Sequence, residues 1–98
     1  MTFQVRVRSE ARADLEDAAL WYEMQRSGLG SEFIDEVERT FDRVASDPSA
    51  YRILHRETRR AVLQRFPFGV FYRIQERTII VVAVMHSSRN PRKWKRRT

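Results

Sequence analysis

Apolar and polar positions divide the chain into one alternating stretch, two helical periods and a series of strands. Phe3-Gln4-Val5-Arg6-Val7-Arg8 alternates apolar with polar, the pattern of a half-buried edge strand. Ser9 can cap the helix that follows. From Ala11, the positions Ala11, Leu15, Ala18, Ala19 and Tyr22 recur at helical spacing, with Asp14, Glu16 and Asp17 early, where the helix dipole favours negative charge. The spacing predicts a helix to about Arg26. Ser27-Gly28-Leu29-Gly30 interrupts it, and Phe33, Ile34, Val37, Phe41, Val44 and Ala45 restart the period until Asp47-Pro48 stops it. Two amphipathic helices joined this closely form an antiparallel hairpin, whose apolar stripes need a flat cover.

The second half supplies that cover. Tyr51 to Glu57 reads as a connector or short strand, and Thr58 to Phe66 as a strand around Ala61, Val62 and Leu63. Phe66-Pro67-Phe68-Gly69 turns the chain, Val70 to Gln75 returns, Glu76-Arg77 turns again, and Thr78 to His86 completes an antiparallel meander. Ile79 to Met85 is uninterrupted apolar sequence, mostly β-branched, which predicts a central strand covered on both faces. The run is far shorter than the roughly 18 to 20 apolar residues a membrane span requires. The expected fold is therefore α+β, in the order β-α-α-β-β-β, with the helix hairpin on one face of a small twisted antiparallel sheet. One domain spans 1–98 and ends in a basic tail, 87–98. In that tail Asn90-Pro91 reads as a cap before a short helix or turn, and Trp94 is its only apolar anchor.

Charge sharpens the picture. The net charge is +6, yet residues 1–50 hold six Arg against eleven Asp/Glu, a balance of −5, while residues 51–98 hold thirteen Lys/Arg against two Glu, a balance of +11. An arginine-rich half suits phosphate or carboxylate, because guanidinium presents a planar fork of donors. The partner implied is polyanionic: nucleic acid, a nucleoprotein or an acidic protein segment. With no cysteine there is no disulfide framework and no thiolate nucleophile, which fits a reducing cytoplasm. Arg6 and Arg8 stand where a signal peptide would need apolar sequence, and His55 and His86 lack metal-ligand spacing, so neither a leader nor a metal site is expected. No cofactor is expected.

Several pieces together resemble the RelE/ParE superfamily of bacterial toxins. They are Trp21-Tyr22-Glu23 closing the first helix, Gly28-Leu29-Gly30 and Phe33, Asp47-Pro48, Arg65-Phe66-Pro67-Phe68-Gly69-Val70-Phe71-Tyr72-Arg73, and Ala83-Val84-Met85-His86 with Arg89, Pro91 and Trp94. The resemblance implies the toxin of a plasmid-stabilisation or chromosomal type II toxin–antitoxin module, cytoplasmic and held inactive by a cognate antitoxin encoded beside it, as a possible hetero-oligomer. It also implies one of two activities, since the fold alone does not choose between them. RelE-like members cleave mRNA on the ribosome; ParE-like members poison DNA gyrase. RelE-like toxins place an Arg after the aromatic residue that opens the third strand, where this chain has Gly69 after Phe68. They often carry paired lysines on the preceding strand, where it has Arg60 and Val62, and a tyrosine in the tail, where it has Trp94. Arginine cannot act as a base near neutrality. The ParE-like branch, a growth inhibitor without hydrolytic chemistry of its own, is therefore favoured. The alternatives are a metal-independent ribosome-dependent endoribonuclease and an inactive basic module that only binds antitoxin.

The candidate residues follow from these branches. For target binding they are Arg60, Arg65, Arg73, Arg89, Arg92 and Trp94, with Arg65, Arg73 and Arg89 expected to share one basic patch. For an endoribonuclease they are His86 as general acid, whose reference pKa lies near neutrality, with Arg65, Arg73 and Arg89 as phosphate clamps. Trp94 can instead pack on the sheet and pin the tail, and His86 can instead fix the turn after its strand. Leu20, Trp21 and Met24 fall off the main apolar stripe of the first helix and are the candidates for antitoxin contact. The segment they would receive combines acidic and apolar residues.

Overall fold

The computed structural model describes residues 3–98. Its elements are β1 (Gln4–Val7), α1 (Ser9–Gln25), α2 (Leu29–Ser46), a single 3-10 turn (Pro48–Ala50), β2 (Ile53–His55), β3 (Thr58–Val62), β4 (Phe68–Gln75), β5 (Thr78–His86) and α3 (Arg92–Lys95). The five strands form one sheet in the order β1-β5-β4-β3-β2. The α+β arrangement expected from periodicity is present, with three differences. The Tyr51–Glu57 segment contributes a three-residue edge strand, β2, which gives a fifth strand. The sheet is mixed, because β1 pairs parallel to β5, Gln4 opposite Thr78 and Val7 opposite Val81. The middle strand is β4, and β5 lies beside it, although Ile79 to Met85 are all buried as the unbroken apolar run requires.

The helix hairpin is closed by specific contacts. Ser9 is the first helical residue rather than the cap, and its hydroxyl meets the Glu10 carboxylate at 3.3 Å. At the other end α2 starts from Gly28 at φ 90°, a left-handed conformation that glycine adopts without strain. Glu23 of α1 supplies the missing cap, its carboxylate accepting the N–H of Gly28 and of Gly30, both at 2.9 Å. Gly30 also lets the helices meet closely, since a Cβ there would lie 2.6 Å from the Ala19 carbonyl oxygen. Beneath the hairpin, Tyr22, Phe33, Phe66 and Phe68 form an aromatic cluster with centroid separations of 4.8 to 6.0 Å. The Tyr72 hydroxyl, buried in the same layer, donates to the Pro48 carbonyl at 2.6 Å.

Alternation along β4 and β5 is broken once. Phe71 pairs with Ala83 and Tyr72 with Val81, so Val82 is an extra, bulged residue. The bulge sends both Val82 and Ala83 to the face opposite the helices. There they join Phe71, Ile80, Met85 and Trp94 in a second apolar cluster. The sheet thus has one face under the hairpin and a second face partly covered by the C-terminal tail.

Candidate functional site

Two surfaces collect several of the residues singled out from the sequence. The first is a cleft of about 770 Å³ between α1 and the last residues of β5, lined among others by Asp14, Trp21, Tyr22, Phe68, His86 and Arg89. The β3–β4 loop and the exit from β5 meet here, joined by the Ser87 N–H donating to the Pro67 carbonyl at 2.8 Å. His86 faces Phe68, with ring centroids 5.4 Å apart. Its Nδ1 accepts the Ser88 backbone N–H at 3.1 Å and lies 2.8 Å from the Ser88 hydroxyl. A backbone N–H can only donate, so the neutral ring carries its proton on Nε2. Burial raises the Tyr22 phenol above its ordinary pKa. Trp21, Leu20 and Met24 stand on the outer side of α1, exposed to 58, 63 and 76 %.

The second surface is the sheet face opposite the helices. Arg60, Val62, Gly69, Phe71 and Arg73 share it through cross-strand register, Arg60 opposite Phe71 and Val62 opposite Gly69. The Arg60 stem lies over Gly69: a Cβ there would sit 2.9 Å from both Cγ and Cδ of Arg60. Val62 is 48 % exposed. The Nε of Arg73 is buried without a protein partner, as is the neighbouring Thr58 hydroxyl.

The expected patch of Arg65, Arg73 and Arg89 does not form. Arg73 lies near the β4–β5 turn on the far face, opposite Ile80, whereas Arg89 lines the cleft at the other end of the sheet. Arg65, in the β3–β4 loop, turns toward the helix layer and bonds the Glu32 carboxylate at 2.7 Å. Arg65 and Arg26 together hold that carboxyl below the usual glutamate range. Arg92 is exposed on the tail helix. Trp94, expected among target-binding residues, is instead 6 % exposed and stacks on Phe71 at 4.7 Å, which makes it the anchor of the tail. The Asn90 carboxamide oxygen accepts the Arg92 N–H at 3.0 Å, the capping role read from Asn90-Pro91.

Three polar residues that the sequence left without a long-range role organise this end of the molecule. Asp14 of α1 and Arg97 of the tail form a two-pronged ion pair, at 2.6 and 3.2 Å. The same carboxylate accepts the Val84 N–H at 3.1 Å, and the same guanidinium donates to the Val82 carbonyl at 3.1 Å. Glu36, buried on α2, accepts the backbone N–H groups of Gln64 and Arg65, fixing the β3–β4 loop from below. Helical position and charge sign point to none of these partners, because they lie 15 to 83 residues away in sequence. Among the described residues no group of His, Asp and Glu is arranged to hold a metal ion, and no helix is long and apolar enough to cross a membrane.

Comparison with solved structures finds the same fold in two of them. A chain of the chromosomal ParDE toxin–antitoxin system from P. aeruginosa superposes with a TM-score of 0.78 at 15 % identity, over 87 % of this chain and 96 % of that one. A chain of the toxin–antitoxin complex RelBE2 from Mycobacterium tuberculosis gives 0.62 at 22 % identity, over 88 % and 99 %. No curated protein matches the sequence. The family model for the ParE toxin of type II toxin–antitoxin systems, parDE, matches residues 5–91, and the chain belongs to that family.

Proposed function

We propose that this protein is a ParE-like growth inhibitor that acts by binding and poisoning DNA gyrase, and that a cognate antitoxin with an acidic and apolar segment neutralises it. The observation that carries the gyrase branch is the surface around Gly69. Metal-free RNA cleavage needs a base at the 2′-hydroxyl and cations around the phosphorane. At the position where the RelE-like pattern has an arginine, this chain has a glycine roofed by the Arg60 stem. Opposite it in the register stands an apolar Val62, and at the pattern's tail position the chain has Trp94, whose ring is buried. That face offers shape and guanidinium charge, which suits binding to a macromolecule. The test is the purified protein assayed side by side for inhibition of gyrase supercoiling and for translation-coupled mRNA cleavage. Loss of supercoiling without cleavage is the expected outcome; unaffected supercoiling at concentrations that stop growth overturns the assignment.

The cleft favours a second reading. His86 presents an Nε2 proton beside Arg89 and an aromatic wall, the ingredients of an acid with a phosphate clamp. Under that reading His86→Ala abolishes toxicity and mRNA cleavage together; under the gyrase reading toxicity survives. The antitoxin part is tested by co-expressing the short acidic partner encoded beside the toxin, which is expected to relieve growth arrest.

A further inference from the structure

The cleft beside α1 has one wall whose hydrogen-bonding groups come in a fixed order. β1 accompanies β5 only from Thr78 to Val81, and past that point the outward backbone groups of β5 border the cleft instead of another strand, leaving its outer edge unpaired. The Val84 N–H points outward, to Asp14 at 3.1 Å. Strand alternation turns the Val84 carbonyl and the His86 N–H the same way. Among the described residues neither meets a protein partner, although Val84 is 1 % exposed and a buried carbonyl left unbonded is costly. Asp14 extends the row. A carboxylate offers about four acceptor positions, of which two are taken by Arg97 and one by the Val84 N–H, so Oδ1 keeps one free. At the other end, a turn closed by the Arg89 N–H on the His86 carbonyl at 2.9 Å brings the exposed Arg89 to the cleft.

From Asp14 to Arg89 the wall therefore presents acceptor, acceptor, donor and a guanidinium fork. A carbonyl and an N–H two residues apart suit a flat heterocycle bonded by its edge. Such a ring lies in line with the sheet, with one face toward Ala18 and Trp21 of α1. The cleft, about 770 Å³ with aromatic walls and a few polar groups along one side, is of the kind that takes a small ligand. Among the nucleobases guanine alone satisfies all four groups. Its N2 amino group meets Asp14, N1–H the Val84 carbonyl, O6 the His86 N–H, and the O6/N7 pair the Arg89 fork, arginine's commonest contact with guanine. Adenine bonded to Val84 and His86 turns its N7 acceptor toward Asp14, uracil turns a carbonyl there, and cytosine only a C–H. The sugar leaves from the opposite edge, past the exposed Asp17 at the rim, where a chain of phosphates is repelled and a single nucleoside is not.

We propose that this cleft binds a free guanine nucleoside or its 5′-monophosphate, through Asp14, the Val84 carbonyl, the His86 N–H and Arg89. The site is separate from the sheet face around Gly69 and does not depend on which target that face engages.

The probe is guanosine 5′-monophosphate, titrated against the full chain by calorimetry and by amide NMR. The His86 amide and the Trp21 indole N–H are expected to shift together. Inosine 5′-monophosphate, which lacks the N2 amino group, and 7-deazaguanosine 5′-monophosphate, which lacks the N7 acceptor, should each bind about 10-fold more weakly, and adenosine 5′-monophosphate more weakly still. Guanosine should stay within about 5-fold of its monophosphate, since the phosphate sits in solvent. Arg89→Ala should lose about 10-fold for guanosine 5′-monophosphate and nothing further for the 7-deaza analogue, because both changes remove the same contact. The analogue series alters only the ligand, so it probes Asp14 without disturbing the ion pair to Arg97. Absence of a His86 shift at millimolar nucleotide overturns the proposal, as does equal affinity for the guanosine, inosine and adenosine monophosphates. An Arg89→Ala chain that binds as the wild type does also overturns it. A single-stranded oligoguanylate that binds more than about 10-fold tighter than the mononucleotide would make a polynucleotide the occupant, and would overturn it too.

Discussion

Trp94→Ala separates anchoring from target recognition. The indole is 6 % exposed and stacked on Phe71, with an interplanar angle of 25° and the His55 ring edge-on to it at 6.2 Å. Truncating a buried tryptophan in a core costs about 3 to 5 kcal/mol. Here the cost is capped, because the tail is terminal and can detach, recovering chain entropy while exposing Phe71, Val82 and Met85. A loss of about 2 to 4 kcal/mol is expected, a large share of the roughly 5 to 15 kcal/mol that stabilises a domain of this size. Urea unfolding followed by circular dichroism measures it. A second readout comes from Trp21→Phe, which leaves Trp94 as the sole tryptophan; its emission should be blue-shifted and shielded from quenchers in the folded protein. A Trp94→Ala variant that unfolds with the wild-type midpoint yet no longer inhibits the target would refute the anchoring argument and return the residue to the recognition surface.

Other substitutions probe the remaining contacts. Gly30→Ala places a methyl 2.6 Å from the Ala19 carbonyl oxygen, where only backbone movement makes room; about 1 to 3 kcal/mol of destabilisation is expected by chemical denaturation. Gly69→Ala clashes with the flexible Arg60 stem and makes an ordinary contact with the Phe71 ring, so a smaller loss is expected, and Arg60→Ala in the same chain should recover it. Tyr72→Phe removes the hydrogen bond to Pro48 and should cost about 1 kcal/mol by urea titration. Burial raises the folded-state pKa of Tyr72 above the ordinary value of 10.0. Its stabilising contribution is thus full below the unfolded pKa and is lost as pH rises past 10 toward the folded value, a loss the phenylalanine variant should not show at that step.

Legibility in the sequence followed the range of the forces involved. The helices and long strands were readable because each is set by local periodicity: the stripe of Phe33, Val37 and Val44 and the run Ile79 to Met85 are buried as read. β2 was only half readable, since three residues closing an edge beside β3 carry almost no pattern of their own. The parallel pairing of β1 was not readable, because Phe3 to Arg8 alternates identically for either direction. That Arg65, Arg73 and Arg89 share no patch was not readable for a related reason. Arginine spacing says which residues alternate across a strand, but not that Arg65 turns to Glu32, that Arg73 and Arg89 lie at opposite ends of the sheet, or that Arg97 reaches Asp14.

The charge division of the chain acquires a structural meaning from these pairs. An acidic first half and a basic second half would attract one another without direction if most charges were free to pair. Instead, the ion pairs joining the halves are few and placed at seams. Arg65 with Glu32 ties the β3–β4 loop to α2, and Arg97 with Asp14 ties the tail to α1 across the unpaired edge of β5. The second pair is the better shielded, with side chains 22 and 17 % exposed, against 55 and 37 % for the first. Partial shielding makes the loss of one partner costlier than at the surface, because the remaining charge has less water to turn to. The tail is therefore held by the Trp94 stack, by Arg97 on Asp14 and the Val82 carbonyl, and by the Arg8 guanidinium donating to the Arg97 carbonyl at 3.0 Å, while Arg92, Lys93, Lys95 and Arg96 remain in solvent. The tail thus presents its unpaired cations outward while its last residues tie it to the sheet and to α1.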